Sequence, residues 1–168
     1  PAAAPLNRQR AALALGDATD LDEPSLAALR GLADGPRAGG LADTAVLAMG
    51  MAADRLRKED PERYAGVRQD LLDRARRGGE DGRATAALLA LGNARDPSLG
   101  EAALARLDDP SAAVRDAAAH ALGKLGEGAD PERLARRLLV EPDAGVRATL
   151  AAALLALRPS DAATLALA

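Results

Sequence analysis

The sequence predicts an all-α fold in which helical hairpins stack into a superhelix, and three observations predict it. The first is composition: 44 Ala and 29 Leu dominate the 168 residues, while Ile, Phe, Trp and Cys are absent and five Val and one Tyr (Tyr64) are all that favours strands. An all-β or parallel-sheet fold is excluded on that ground. The second is punctuation: prolines stand at Pro24, Pro61, Pro97, Pro131 and Pro159, separated by 37, 36, 34 and 28 residues. The first four follow Glu23, Asp60, Asp96 and Asp130. Proline suits the first helical position because the N–H it lacks has no partner there. The third is repetition: Asp109-Pro-Ser-Ala-Ala-Val114-Arg115 returns as Glu141-Pro-Asp-Ala-Gly-Val146-Arg147, offset by 32, and Arg83 lies a further 32 residues before Arg115. Units of roughly 30 to 40 residues are the size of solenoid hairpins.

Taken in order, a helix over 6–15 closes on Ala14-Leu15-Gly16, and the first proline opens a helix over 24–33. A helix over 41–57 follows. Pro61 opens 61–77, where Tyr64, Val67, Leu71 and Ala75 make one helical stripe. The helix 83–92 closes on Ala90-Leu91-Gly92, and Pro97 opens 97–107. In 111–125, Val114, Ala118, Ala121, Leu122 and Leu125 again share a face, and the segment contains the same close, Ala121-Leu122-Gly123. Pro131 opens 131–140, a helix over 144–157 follows, and Pro159 opens 159–167. The proline-started A helices thus alternate with B helices in about five hairpins. A buried Leu contributes about 1.5–3 kcal/mol and Ala much less, so this core depends on close approach of helices. The chain opens in a B helix and ends at Ala168 without a polar capping helix, which reads as one repeat domain cut from a longer protein.

The Asp-Pro-x-x-x-Val-Arg turn at 109–115, with its counterpart at 141–147, resembles the HEAT family of helical repeats. Over about 41–168 the chain is also similar to the helical N-terminal domain of the vitellogenin/lipovitellin family. Leu89-Ala90-Leu91-Gly92-Asn93-Ala94 with Asp96-Pro97-Ser98, then Ala118-Ala119-His120-Ala121-Leu122-Gly123-Lys124-Leu125, then Val146-Arg147 through Leu157-Arg158-Pro159-Ser160 carry that likeness. It implies a right-handed superhelix of antiparallel helix pairs, which in lipid-transfer proteins curls around lipid-binding sheets. This chain has no strand-rich segment that could form such a cavity, so lipid is expected only if other parts of the parent chain supply one.

The formal charge of −3 and the near absence of aromatics leave nothing to neutralise phosphates or stack on bases, so nucleic acid is excluded as a partner. No apolar run approaches the roughly 20 residues that span a bilayer. Neither a signal peptide nor a cysteine marks a compartment. A lone histidine, His120, cannot build a triad or an imidazole metal site. With Asp116 and Lys124 one turn to either side it reads as a solvated ladder, available to a ligand if B helices line a concave face. The acids Asp17, Asp20, Asp22 and Glu23 lack calcium-loop spacing and read as punctuation before the helix at Pro24. The glycines around Gly123-Lys124-Leu125-Gly126-Glu127-Gly128 read as a helix end and turn rather than a phosphate loop. No catalytic residue, metal or cofactor is expected.

The expected role is a non-catalytic scaffold for a protein partner, with the helical layer of a lipid carrier as the alternative. Arg74, Arg76 and Arg77, and Arg133, Arg136 and Arg137, are the basic groups that could meet an acidic partner, while Arg83, Arg115 and Arg147 recur in phase and are expected to bridge repeats. The strongest interface candidate is helix 144–157. There Ala148, Ala151, Ala152 and Leu155 make a second apolar face opposite the Val146, Leu150, Leu154 and Leu157 stripe; a helix apolar all round is normally covered, here by other parts of the parent chain or by a partner protein, unless the small alanines are simply tolerated at the surface.

Overall fold

A computed structural model describes residues 3–18, 21–36, 40–77 and 81–157. Within them the chain forms helices α1 (Ala3–Asp17), α2 (Glu23–Ala33), α3 (Leu41–Glu59), α4 (Pro61–Arg76), α5 (Asp81–Ala94), α6 (Gly100–Leu104), α7 (Ala112–Leu125), α8 (Pro131–Val140) and α9 (Ala144–Ala156), and no strand. The expected helix 159–167 lies outside the described residues.

Capping chemistry explains where the A helices start. Asp22, Asp60, Asp96 and Asp130 each turn a carboxylate back onto the first free amides, accepting from Ser25, Arg63, Ser98 and from both Glu132 and Arg133, at 2.9–3.1 Å. Each such cap stabilises its helix by about 1 kcal/mol. Proline then occupies the first turn, where it deletes no hydrogen bond. The third A helix is shorter than its expected range of 97–107. Pro97–Leu99 is a 3-10 turn, α6 ends at Leu104, and Arg106 and Leu107 donate to carbonyls three residues back. Gly100 lies so close to the Gly128 carbonyl that a side chain there would collide with it, and Asp109 precedes a proline that disfavours helix.

The helices form two layers. Odd-numbered helices pack in series, α1 on α3, α3 on α5, α5 on α7 and α7 on α9, and each even-numbered helix leans on the odd one that follows it. Leu26, Leu29, Leu71, Leu88, Leu91, Leu99, Leu122, Leu134 and Leu150 are fully buried between the layers. The expected stripes of α4 and α7 are buried throughout.

An Ala-x-Gly register sets the spacing of the odd series. A Cβ on Gly16 would come within 2.6 Å of Ala48, one on Gly92 within 3.0 Å of Ala121, and one on Gly123 within 3.1 Å of Ala153; Gly50 meets the Ala90 backbone in the same way. In each step the glycine of one helix admits the alanine of the next, so the backbones nearly touch. The alanine that receives one neighbour stands two residues before the glycine that admits the other, as in Ala48-Met49-Gly50, Ala90-Leu91-Gly92 and Ala121-Leu122-Gly123.

Candidate functional site

The repeat loops before α7 and α9 are built alike. Asp143 caps α9 by accepting from the Val146 amide at 3.0 Å, and Arg147 folds back so that its Nη1 donates to the carbonyls of Glu141 and Pro142 at 3.0 and 2.7 Å. One repeat earlier, Arg115 Nη1 donates to the carbonyls of Asp109 and Pro110 at 2.9 and 3.0 Å. Arg115 also reaches into the next repeat, where its Nε and Nη2 grip the two oxygens of Glu141 at 2.8 and 2.7 Å. Glu141 further accepts from Arg137 at 2.6 Å and from the Asp143 amide at 2.9 Å. The Arg115 hydrogen bonds outweigh burial and hold the Glu141 carboxyl down at about 2.

Among the described residues, Arg115 is the one of the three in-phase arginines that forms an ion pair between repeats. Arg83 makes none with Asp109, whose side chain is a methylene shorter than Glu141 and is taken by Arg106 at 3.1 Å and the Ser111 amide. Arg83 instead lines a small surface cavity with Arg74 and Arg77.

On α9, Ala148, Ala152 and Leu155 are exposed and Ala151 is half-buried, while Val146 and Leu150 are buried and Leu154 and Leu157 half-buried. The second apolar face is therefore open. Leu155 is 59% exposed, whereas α3, α5 and α7 are flanked by a helix on both sides. The α7 trio is less free than a solvated ladder. Asp116 accepts from Thr149 at 2.6 Å and Lys124 donates to Asn93 at 2.9 Å, so both join neighbouring odd helices, and His120 stands exposed between them. His120, Lys124 and Ala152 meet in one shallow cavity of about 190 Å³ between α7 and α9.

The basic group on α8 lies in the other layer. Arg137 is held by Glu141, Arg133 donates to the Leu104 carbonyl at 3.2 Å, and exposed Arg136 has a loose 3.4 Å pair with Glu132. Beside them Leu139 and Val140, 85% and 68% exposed, are apolar residues that sequence reasoning passed over because they sit in the same helix as the buried Leu134. Of the acids before α2, Asp22 is the cap and Glu23 pairs with Arg30 at 2.9 Å, consistent with punctuation.

The one cluster that looks like chemistry is also structural. Ser98 donates to Asp96 at 2.9 Å, Tyr64 donates to the same carboxylate, and Arg68 lies 3.8 Å away. Burial raises the Asp96 carboxyl, but the hydrogen bonds from Tyr64 and Ser98 bring it below its ordinary value, which makes it a poor base. No group of three His, Cys, Asp or Glu among the described residues could hold a metal ion, and no described helix is long and apolar enough to cross a membrane.

Residues 68–155, from α4 to α9 and more than half of the chain, match the family of HEAT repeats. The chain belongs to the HEAT-repeat family. Its HEAT repeats run through the ion pair of Arg115 with Glu141 and take in the α9 face as far as Leu155. No curated protein matches the chain, and nothing in these findings supports the narrower likeness to lipovitellin.

Proposed function

We propose that the chain is a non-catalytic scaffold that binds another protein through the open side of α9. The observation that carries this reading is Leu155, a large apolar side chain 59% exposed on a helix whose opposite side, Val146, Leu150 and Ala153, is buried. Covering it with a partner removes apolar surface from water without any rearrangement of the repeats. Protein interaction is also the general role of HEAT repeats. Non-catalytic fits a site whose single histidine stands between Asp116 and Lys124, both engaged by side chains of neighbouring helices, and whose best-placed carboxylates are committed to caps and ion pairs.

A photo-crosslinking residue in place of Leu155 tests the reading. Protein adducts from that position, and none from the same residue in place of exposed Glu62 on α4, are expected. Absence of adducts at Leu155, or equal adducts at both positions, contradicts it. The alternative, a helical layer that braces a lipid pocket, rests on the lipovitellin-like segments alone. Adducts to phospholipid rather than protein would favour it.

A further inference from the structure

A polar cavity of about 460 Å³ lies midway along the odd series, with α1 on one flank and α7 on the other. One register row lines it. The residues that follow the close-approach glycines, Asp17, Met51, Asn93 and Lys124, come from α1, α3, α5 and α7 in turn, so the row crosses the helices rather than following one. Most charges around the cavity are committed. Arg55 donates to the Gly16 carbonyl at 2.8 Å, Asp54 lies 3.8 Å from both Arg57 and Lys58, and Lys124 donates to Asn93 at 2.9 Å. Three are not: Asp17, Glu59 and Arg95 line the cavity, are exposed, and make no ion pair or side-chain hydrogen bond among the described residues. The acids end α1 and α3 and the arginine follows the end of α5, so Glu59 and Arg95 face each other across one helix spacing, roughly 8–10 Å between axes, without pairing. Arg95 also holds a left-handed backbone conformation, φ 48°, the only non-glycine among the described residues to do so. A side chain disfavours that conformation, and glycine is the usual residue where a helix ends in this way. No contact of the guanidinium within the described fold offsets the strain.

We propose that this cavity binds a dipolar ligand, one that carries an ammonium or guanidinium group and a carboxylate about a helix spacing apart. The cation seats against Glu59 and Asp17, and the carboxylate seats on the guanidinium of Arg95 with Lys124 beside it. Half-buried Met51, between Asp17 and Asn93 in the row, contacts the aliphatic stretch that joins the two charges. An anion alone is repelled by the acids one helix away and a cation alone by Arg95 and Lys124, so the site favours both charges in one molecule. Two sources share that chemistry. One is a free ω-amino acid; the other is an extended peptide with a basic and an acidic residue two positions apart, which point the same way roughly 6.5 Å from each other. The site is separate from the α9 side and does not depend on it.

Both sources are probed on the full chain labelled with nitrogen-15. One probe is 6-aminohexanoate, with hexanoate and hexylamine as single-charge controls; the other is acetyl-Ala-Lys-Ala-Glu-Ala-amide, with its Glu→Gln version. Shifts are expected at the amides of 58–59 and 93–95 and at the Arg95 Nε–H, with at least one dipolar probe binding about tenfold or more tightly than its controls. Arg95→Gly and Glu59→Gln are each expected to abolish that preference. Arg95→Gly is expected at the same time to raise the urea midpoint, because glycine accepts the left-handed backbone, and this separates lost binding from a lost fold. Binding of 6-aminohexanoate alone assigns a small molecule, and binding of the peptide alone assigns a protein segment. Dipolar probes no tighter than their controls, a preference that survives Arg95→Gly, shifts centred elsewhere, no binding at tens of millimolar, or a lowered urea midpoint for Arg95→Gly would each overturn the proposal.

Discussion

Glu141 accepts from Arg115, Arg137 and the Asp143 amide while only 4% exposed, so its charge is stabilised by the fold and by nothing else. Removing one partner of a buried pair leaves the other charge uncompensated, and Glu141→Ala is expected to cost about 3 kcal/mol in urea denaturation. Arg136→Ala, at an exposed pair, is expected to stay within about 0.5 kcal/mol. The sign of the pH effect follows from the lowered carboxyl. Held at about 2 in the fold against an ordinary 4.5, Glu141 contributes fully above that ordinary value and loses its contribution as pH falls from about 5 through 2. Thermal melts across that window should decline for the parent and decline less for Glu141→Gln; parallel declines would contradict the assignment. The in-phase arginines were legible in the sequence, but their partners were not. Whether Arg83, Arg115 or Arg147 joins repeats depends on a carboxylate of the right length about a repeat away, and Asp109 is too short where Glu141 is not.

Among elements, the odd helices are positioned by contacts too close for a side chain. Gly50→Ala places a methyl against the Ala90 backbone and is expected to cost about 1–3 kcal/mol. Gly31→Ala, in α2 with open space where its methyl would go, is expected to stabilise by about 0.5–1 kcal/mol. The same urea series measures both, and a matching sign at the two glycines would refute the close-approach account. The starts of the A helices could be read directly, because an acid before proline acts through neighbouring amides. The Ala-Leu-Gly closes were visible too, but as a recurring text. That their alanine and glycine serve opposite neighbours appears only when helices separated by a whole repeat are brought together, and Ala48-Met49-Gly50 escaped notice because its middle residue differs. The shortening of α6 had no local signal, since it turns on Gly100 meeting Gly128 from the next repeat.

Across the described residues, stacking in series covers the helices that have a neighbour on both sides and leaves apolar surface on α1, α8 and α9. All the exposed large hydrophobics among the described residues, Leu6 and Leu13 on α1, Leu139 and Val140 on α8, and Leu155 on α9, lie there. Each helix contacts chiefly its neighbours, so a partner at one end has little reason to disturb the other. The α9 face was legible as an apolar second side, whereas Leu139 and Val140 were hidden by the strongly two-sided pattern of α8. A glutamate scan over Leu13, Val140 and Leu155, read by quantitative capture of the proteins crosslinked at α9, locates the binding surface. Leu155→Glu alone is expected to lower capture, by about tenfold or more, with unchanged melting of all three variants. Full capture by Leu155→Glu, with loss at Leu13 or Val140 instead, would contradict it.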